Sequence, residues 1–229
     1  MSDRRLSHTR LTLRAFARIA PLVALLGVDC VHVGSLPARE LYRLTLPIAS
    51  DTASGAGTTT TATDGAPAPL AGTLGIAEYV TPGIYGDPPI VYRLDDTEYG
   101  SYSYREWAVP LADQLGVLTE RVLARVPLTA ERAVFDPPSR RAQTYIWRGT
   151  VREFEEVNRD QRVLAAVRID LRIVRAEDDS IVWSGTSRIE RPAQSSNMSG
   201  IVETLSALAN DVLTDLATRA RQELSTRRH

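Results

Sequence analysis

Three histidines, one cysteine and no lysine leave this chain few side chains that could do covalent or metal chemistry. His8 lies in an arginine-rich N-terminal stretch, His32 beside the cysteine and His229 at the far end. Cys30 is alone, which excludes an intrachain disulfide and a cysteine-based zinc site. Without lysine there is no Ser–Lys dyad. Without histidine in a patterned segment, Ser–His and Cys–His nucleophiles have no base. Carboxylates remain: Asp95-Asp96, Glu155-Glu156 and Asp178-Asp179, all in or near expected turns. The reading is therefore of a protein with no catalytic residue, no metal site and no cofactor. A carboxylate-dependent enzyme stays open as an alternative and requires two of these groups to face one cleft.

All 27 basic residues are arginines. Five of them, with two aspartates, fall in the first 29 residues, which leaves 22 against 26 acidic residues in the remainder. A nucleic-acid partner needs a basic footprint, and this balance argues against one. In the first 29 residues the arginines precede an apolar run of ten residues, 19–28. That run is too short to span a bilayer and has the length of a signal-peptide core. It stops at Cys30, the arrangement of a lipoprotein, in which diacylglycerol is attached to the thiol and the leader is cleaved before it. Asp29 stands where a small residue is expected, so an uncleaved anchor remains the alternative. Several acyl chains on one cysteine hold a protein firmly to a membrane. Val31 occupies the position where an aspartate favours inner-membrane retention, which points to the outer membrane.

The organising stretch is 90–126. Ile90-Val91-Tyr92-Arg93-Leu94 reads as a strand, Asp95-Asp96 as a turn pair, and Tyr99, Tyr102 and Tyr104 among Gly and Ser as the returning strand. A short turn is expected at 103–107, then a helix from about Val109. Pro110 suits its first turn, where no N–H is needed. Leu111, Leu115, Leu118, Val122 and Val126 form one apolar stripe. Trp107, one turn before Leu111, is expected in the core. Tyr99 and Tyr102 lie near the hairpin tip on a segment too thin to bury both. Either one presents its ring to a partner, or both lie flat as cross-strand packing.

Elsewhere, 41–47 and 74–80 read as strands, separated by 49–71, a Thr/Ala/Gly/Pro insert with no large apolar residue before Leu70. A short strand at 133–135 follows the helix. Residues 144–157, 163–173 and 181–189 alternate apolar and polar side chains between tight turns and make an antiparallel meander. Ile181, Trp183, Gly185 and Ile189 are assigned to its inner face. Its outer face carries Arg148, Arg152, Arg168, Arg172 and Arg188 with Asp170 and Glu190 between. This face is either a docking surface for a partner or anionic headgroups, centred on Arg168 and Arg172, or a solvated face of cross-strand ion pairs. A second amphipathic helix is expected at about 199–224, from Ile201, Leu205, Leu208, Val212 and Leu216. The domain reading is a signal peptide at 1–29, anchor and first strand at 30–48, the insert at 49–71, and one domain at 72–225. The fold class is α+β, a mostly antiparallel sheet with both helices packed on one face.

The tyrosine-bearing hairpin, the Trp107-Ala108-Val109-Pro110-Leu111 run and the leucine-rich helix resemble the ABC-type transport auxiliary lipoproteins. So do the Tyr42-Arg43-Leu44 strand after Cys30 and the strand with its proline loop at 74–89. The resemblance implies a non-enzymatic periplasmic lipoprotein anchored to the outer membrane of a Gram-negative bacterium. It implies as partners an MCE-domain protein (mammalian-cell-entry type) and an ABC permease/ATPase complex, and coupling of that lipid transporter to the membrane. Assembly with further copies of the chain stays open. The insert at 49–71 departs from the family pattern, which runs more directly there. An outer-membrane assembly or pilot lipoprotein, similar to lipopolysaccharide-assembly lipoproteins, is the alternative.

Overall fold

The computed structural model describes residues 37–45, 67–95 and 97–227. The leader, Cys30, most of the insert, Asp96 and His229 lie outside them.

The meander forms where alternation demands it. β6 (Tyr145–Arg159), β7 (Arg162–Arg175) and β8 (Ile181–Pro192) pair antiparallel. Asp160 and Gln161 join β6 to β7 with φ of 50° and 61°. Two positive φ values give the turn whose twist matches the strands it connects. Ala165, Val167, Ile169, Leu171 and Ile173 of β7 are all buried, as are Tyr145, Trp147, Val151 and Phe154 of β6. Ile181 is the exception to the expected inner face, at 57% exposed. A register shift at Ile173/Val174 opposite β8 breaks the alternation just there, so the parity of Trp183 does not extend back to Ile181.

Along the other edge of β6 two strands run in tandem. β2 (Leu74–Ile76) pairs with Tyr145 to Trp147, and β3 (Pro89–Arg93) with Glu156 and Val157; both are parallel to β6. Between them Val80 bridges Thr150. β4 (Tyr99–Trp107) folds back antiparallel on β3, β1 (Glu40–Tyr42) adds parallel to the end of β4, and β5 (Val134–Phe135) lies parallel to β2. Of the seven strand pairings among the described residues, four are parallel. The expectation of a mostly antiparallel sheet is corrected to a mixed α/β arrangement, eight strands with two helices. Tight turns fix antiparallel pairing only between immediate neighbours. β2 and β3 are separated from β6 by helix α1 (Leu111–Arg125), and a crossover of that length returns the chain in the same direction.

Two local readings are also corrected. Residues 103–107 are the end of β4, not a turn, because Glu106 and Trp107 pair with Leu41 and Tyr42 of β1. The first strand ends at Tyr42. Leu44 is still buried, but in an irregular segment whose backbone bonds go to helix side chains: Leu44 N donates to Gln114 Oε1 (2.6 Å) and Thr45 N to Ser206 Oγ (2.9 Å).

α1 and α2 (Met198–Thr226) pack on each other and on one face of the sheet, α2 over the meander and α1 over β2 and β5. The stripes Leu111, Leu115, Leu118, Val122 and Ile201, Leu205, Leu208, Val212, Leu216 are buried in one core. Asn197 caps α2, its side chain accepting from Gly200 N at 2.9 Å. A buried relay ties sheet to helix. Trp147 Nε1 donates to Tyr79 Oη (2.9 Å), and Thr119 Oγ1 donates to the Leu115 carbonyl (2.7 Å). The Tyr79 hydroxyl therefore donates to Thr119, 2.7 Å away. Burial pushes the Tyr79 phenol up to about 12, so it stays a donor. Gly149 makes the relay fit, since a Cβ there would stand 2.0 Å from the Tyr79 ring.

β8 is an edge strand of twelve residues, a template for unwanted strand addition. Arg219 of α2 and Arg227, just past its end, occupy carbonyls of this strand: Arg219 Nη2 donates to Thr186 O (2.7 Å) and Arg227 Nη1 to Val182 O (3.0 Å). Replacing both with alanine is expected to leave the melting temperature within a few degrees and to produce concentration-dependent self-association, read by light scattering. A double variant that stays as dispersed as the parent would show that these bonds do not guard the edge.

Candidate functional site

Each of the candidate carboxylates among the described residues makes contacts that hold local structure. Asp95 Oδ1 accepts from Thr97 N (2.7 Å), Thr97 Oγ1 (2.8 Å) and Glu98 N (2.8 Å) and closes the β3–β4 turn. The Thr97 amide, then its hydroxyl and the Glu98 amide, hold the Asp95 carboxyl below its ordinary value. Asp178 caps the β7–β8 turn through Ser180 N (3.0 Å), and Asp179 takes Arg148 at 2.5 Å. Glu156 accepts from Tyr102 (2.7 Å) and Asn158 (2.8 Å).

Glu155 is fully buried on the outer face of the sheet, in contact with Arg93 (Nε to Oε1, 2.7 Å) and accepting the Tyr85 hydroxyl. Burial pushes its carboxyl above the usual range, against the pull of Tyr85 and Arg93. Tyr85 sits on the short 3-10 turn Gly83–Gly86, which thus lies over this end of the outer face. The sequence places Glu155-Glu156 near a turn, whereas both are buried within β6; that Arg93 and Tyr85 gather on Glu155 had no signal beyond an arginine ending the apolar strand Ile90-Val91-Tyr92.

The hairpin sorts its tyrosines. Tyr102 is half-buried, its ring 5.0 Å from that of Tyr92 and 5.0 Å from the Arg105 guanidinium, its hydroxyl on Glu156. Burial, then the Glu156 carboxylate, push its phenol up. This is cross-strand packing. Tyr99 is 45% exposed, with Arg93 6.0 Å over its ring and no hydrogen bond from its hydroxyl among the described residues. Leu94, next to Arg93 at the same tip, is also exposed; Tyr104 is exposed too, but five residues further along β4 and on its other face. Trp107 is buried edge-on against Phe154, ring centroids 5.8 Å apart. Pro110 stands at the N-cap of α1 and Leu111, its first residue, is buried.

The five arginines of the meander do share the outer face. Four meet carboxylates: Arg148 with Asp179, Arg152 with Asp170 (2.7 Å), Arg168 with Glu153 (4.0 Å) and Arg188 with Glu153 and Glu190 (2.8 Å each). Burial raises the Asp170 carboxyl, but Thr186 and Arg152 outweigh it and hold it below its ordinary value. Arg172 meets no carboxylate within 4.0 Å among the described residues. Arg168 and Arg172 therefore separate, the first within an ion-pair ladder and the second open. A groove of about 620 Å³ runs along this face. Arg140, which also lines it, comes from a proline-flanked loop without periodicity and gave no sequence signal.

Fold and surface together describe a two-layer α/β domain that presents an exposed aromatic hairpin and an arginine-bearing sheet face. Its sequence matches the family described as the ABC-type transport auxiliary lipoprotein component over residues 54–217, and the chain belongs to that family. A search of curated proteins finds no match. Among solved structures, a Xanthomonas campestris protein of the family designated DUF330 is similar, with TM-score 0.62 and 19% identity over 80% of this chain and 95% of that one. A second, an uncharacterized protein, has TM-score 0.56 and 17% identity over 80% and 99%. These two establish the shared fold. The PelC dodecamer of Paraburkholderia phytofirmans is similar at TM-score 0.45 and 12% identity over 69% and 95%, too distant to bear on assembly here. No described helix is long and apolar enough to cross a membrane.

Proposed function

We propose that this chain is the lipid-anchored auxiliary subunit of an ABC/MCE-type lipid transporter. It is tethered through Cys30 to the periplasmic side of the outer membrane and docks the transporter through the tip of the β3–β4 hairpin. Family membership supports the transporter association. The observation that carries the docking site is Tyr99, an aromatic ring left 45% exposed, with Leu94 exposed at the same tip, on a hairpin that its own Asp95 turn holds in place. Amphipathic aromatics on a fixed element make large contacts at low entropic cost. ATP hydrolysis belongs to a separate subunit in this reading.

Membrane fractionation tests the tether. Cys30→Ser is expected to move the protein from the membrane to the soluble periplasmic fraction with an unchanged melt. A variant that stays membrane-bound with its leader attached would replace the lipid tether with an uncleaved signal anchor. Affinity capture of the full chain from envelopes tests the partner. It is expected to bring down the permease and its MCE-domain protein, whereas capture of an outer-membrane barrel alone would favour an assembly or pilot lipoprotein.

A further inference from the structure

The groove on the outer face lies between two exposed apolar side chains, Val80 and Ile181, each 57% exposed. Its floor is one rung of the meander in which Arg148 and Arg172 stand directly opposite each other across β6 and β7, with Ser184 beyond. Like charges opposed across strands are destabilising. Asp179 answers only Arg148, and Arg148 Nε, shut off from solvent, has no hydrogen-bond acceptor among the described residues. Arg140 adds a third guanidinium from outside the sheet, also without a carboxylate within 4.0 Å among the described residues. Arg152, paired with Asp170, and Glu78 also line the groove, so four arginines face three carboxylates there, and Arg140 and Arg172 meet none within 4.0 Å among the described residues.

Planar guanidinium forks that line one groove suit a tetrahedral oxyanion, whose several oxygens can each accept from a different arginine. Phosphate is that group. The volume, about 620 Å³, exceeds what a bare phosphate needs and falls in the range of small-molecule sites. The surplus is bounded by Val80 and Ile181, which an inorganic ion would not use.

We propose that this groove binds a phosphate-bearing amphiphile, the phosphate held by Arg172, Arg148 and Arg140 and the apolar part lying along Val80 and Ile181. The site is built from the fold alone and stands whether or not the hairpin docks a transporter. Arg168, in the ladder with Glu153, is on the same face but outside the groove, and serves as the control.

Calorimetric titration of the full chain with dihexanoyl phosphatidic acid, below its micellar concentration, and with inorganic phosphate decides it. Dihexanoyl phosphatidic acid is expected to bind at least tenfold more tightly than inorganic phosphate. Arg172→Gln should weaken it by about tenfold or more, as expected for a lost charge-assisted bond, and Arg168→Gln should leave it unchanged. Val80→Asn is expected to weaken the amphiphile and not inorganic phosphate. All three positions are exposed, so their melts should match the parent. Equal affinity for the two probes would overturn the amphiphile assignment. Binding that survives Arg172→Gln, or no binding of either probe, would overturn the site.

Discussion

Trp107→Ala is expected to lose about 3–5 kcal/mol, the range for truncating a buried tryptophan, and to be poorly folded at 37 °C. Trp107 ends β4, pairs with Tyr42 of β1, and lies against Phe154 where the sheet meets the start of α1. Its loss opens a cavity at the junction of three elements, none of which can close it alone. Tyr99→Ala, eight residues earlier on the same strand, should stay within about 0.5 kcal/mol of the parent, because an exposed ring has little packing to lose. Tyr102→Ala should fall between them, at about 1–2 kcal/mol, since Glu156 loses one of its donors. Urea melts of the three variants give this ordering. Equal destabilisation by all three would make the hairpin tyrosines ordinary core and remove Tyr99 as a docking residue.

Glu155→Ala is expected to cost roughly 3 kcal/mol, the low end of the range for removing one partner of a buried ion pair. The low end applies because Glu153 remains 3.9 Å from Arg93. Replacing both partners, as Arg93→Met with Glu155→Leu, should recover most of that loss, because the desolvation of two charges disappears with them. The pH dependence has a definite sign. Burial raises the Glu155 carboxyl in the folded state above its unfolded value. The folded chain then holds that proton more tightly, so this group's contribution is full below the unfolded value and is lost as pH rises through the folded one. The double variant should flatten that decline. Denaturant melts of the four members of the cycle between mildly acidic and neutral pH check both claims. A double variant no better than Glu155→Ala would mean that the pair holds the Gly83–Gly86 turn rather than costing stability.

The parts of the fold legible in the sequence are those with a long, uninterrupted period. β7 alternates cleanly from Val167 to Ile173, and α1 and α2 each repeat leucine at helical spacing, so their faces could be assigned residue by residue. Where two or three residues pair, as in β1, β2 and β5, no period exists, and the partner is chosen by tertiary packing. That is why the parallel neighbours of β6 were invisible. Ile181 shows the same limit in one residue, since a register shift reverses its face and nothing in the sequence marks it. The candidate site divides likewise. Arg168 and Arg172 share a parity that the pattern revealed, but only the structure separates the one held by Glu153 from the one left open. Tyr99 and Tyr102 look alike in sequence; the Glu156 carboxylate that claims Tyr102 is more than fifty residues away.

The central claim, that the hairpin tip is the transporter-docking surface, is tested most directly by placing a photo-crosslinking amino acid at position 99 in the full chain and irradiating intact cells. The account predicts a covalent adduct containing an MCE-domain or permease subunit. It predicts no such adduct from a probe at Glu177, an exposed position on the β7–β8 turn at the other end of the meander. An adduct with an outer-membrane barrel, or transporter adducts from position 177 and none from position 99, would contradict it.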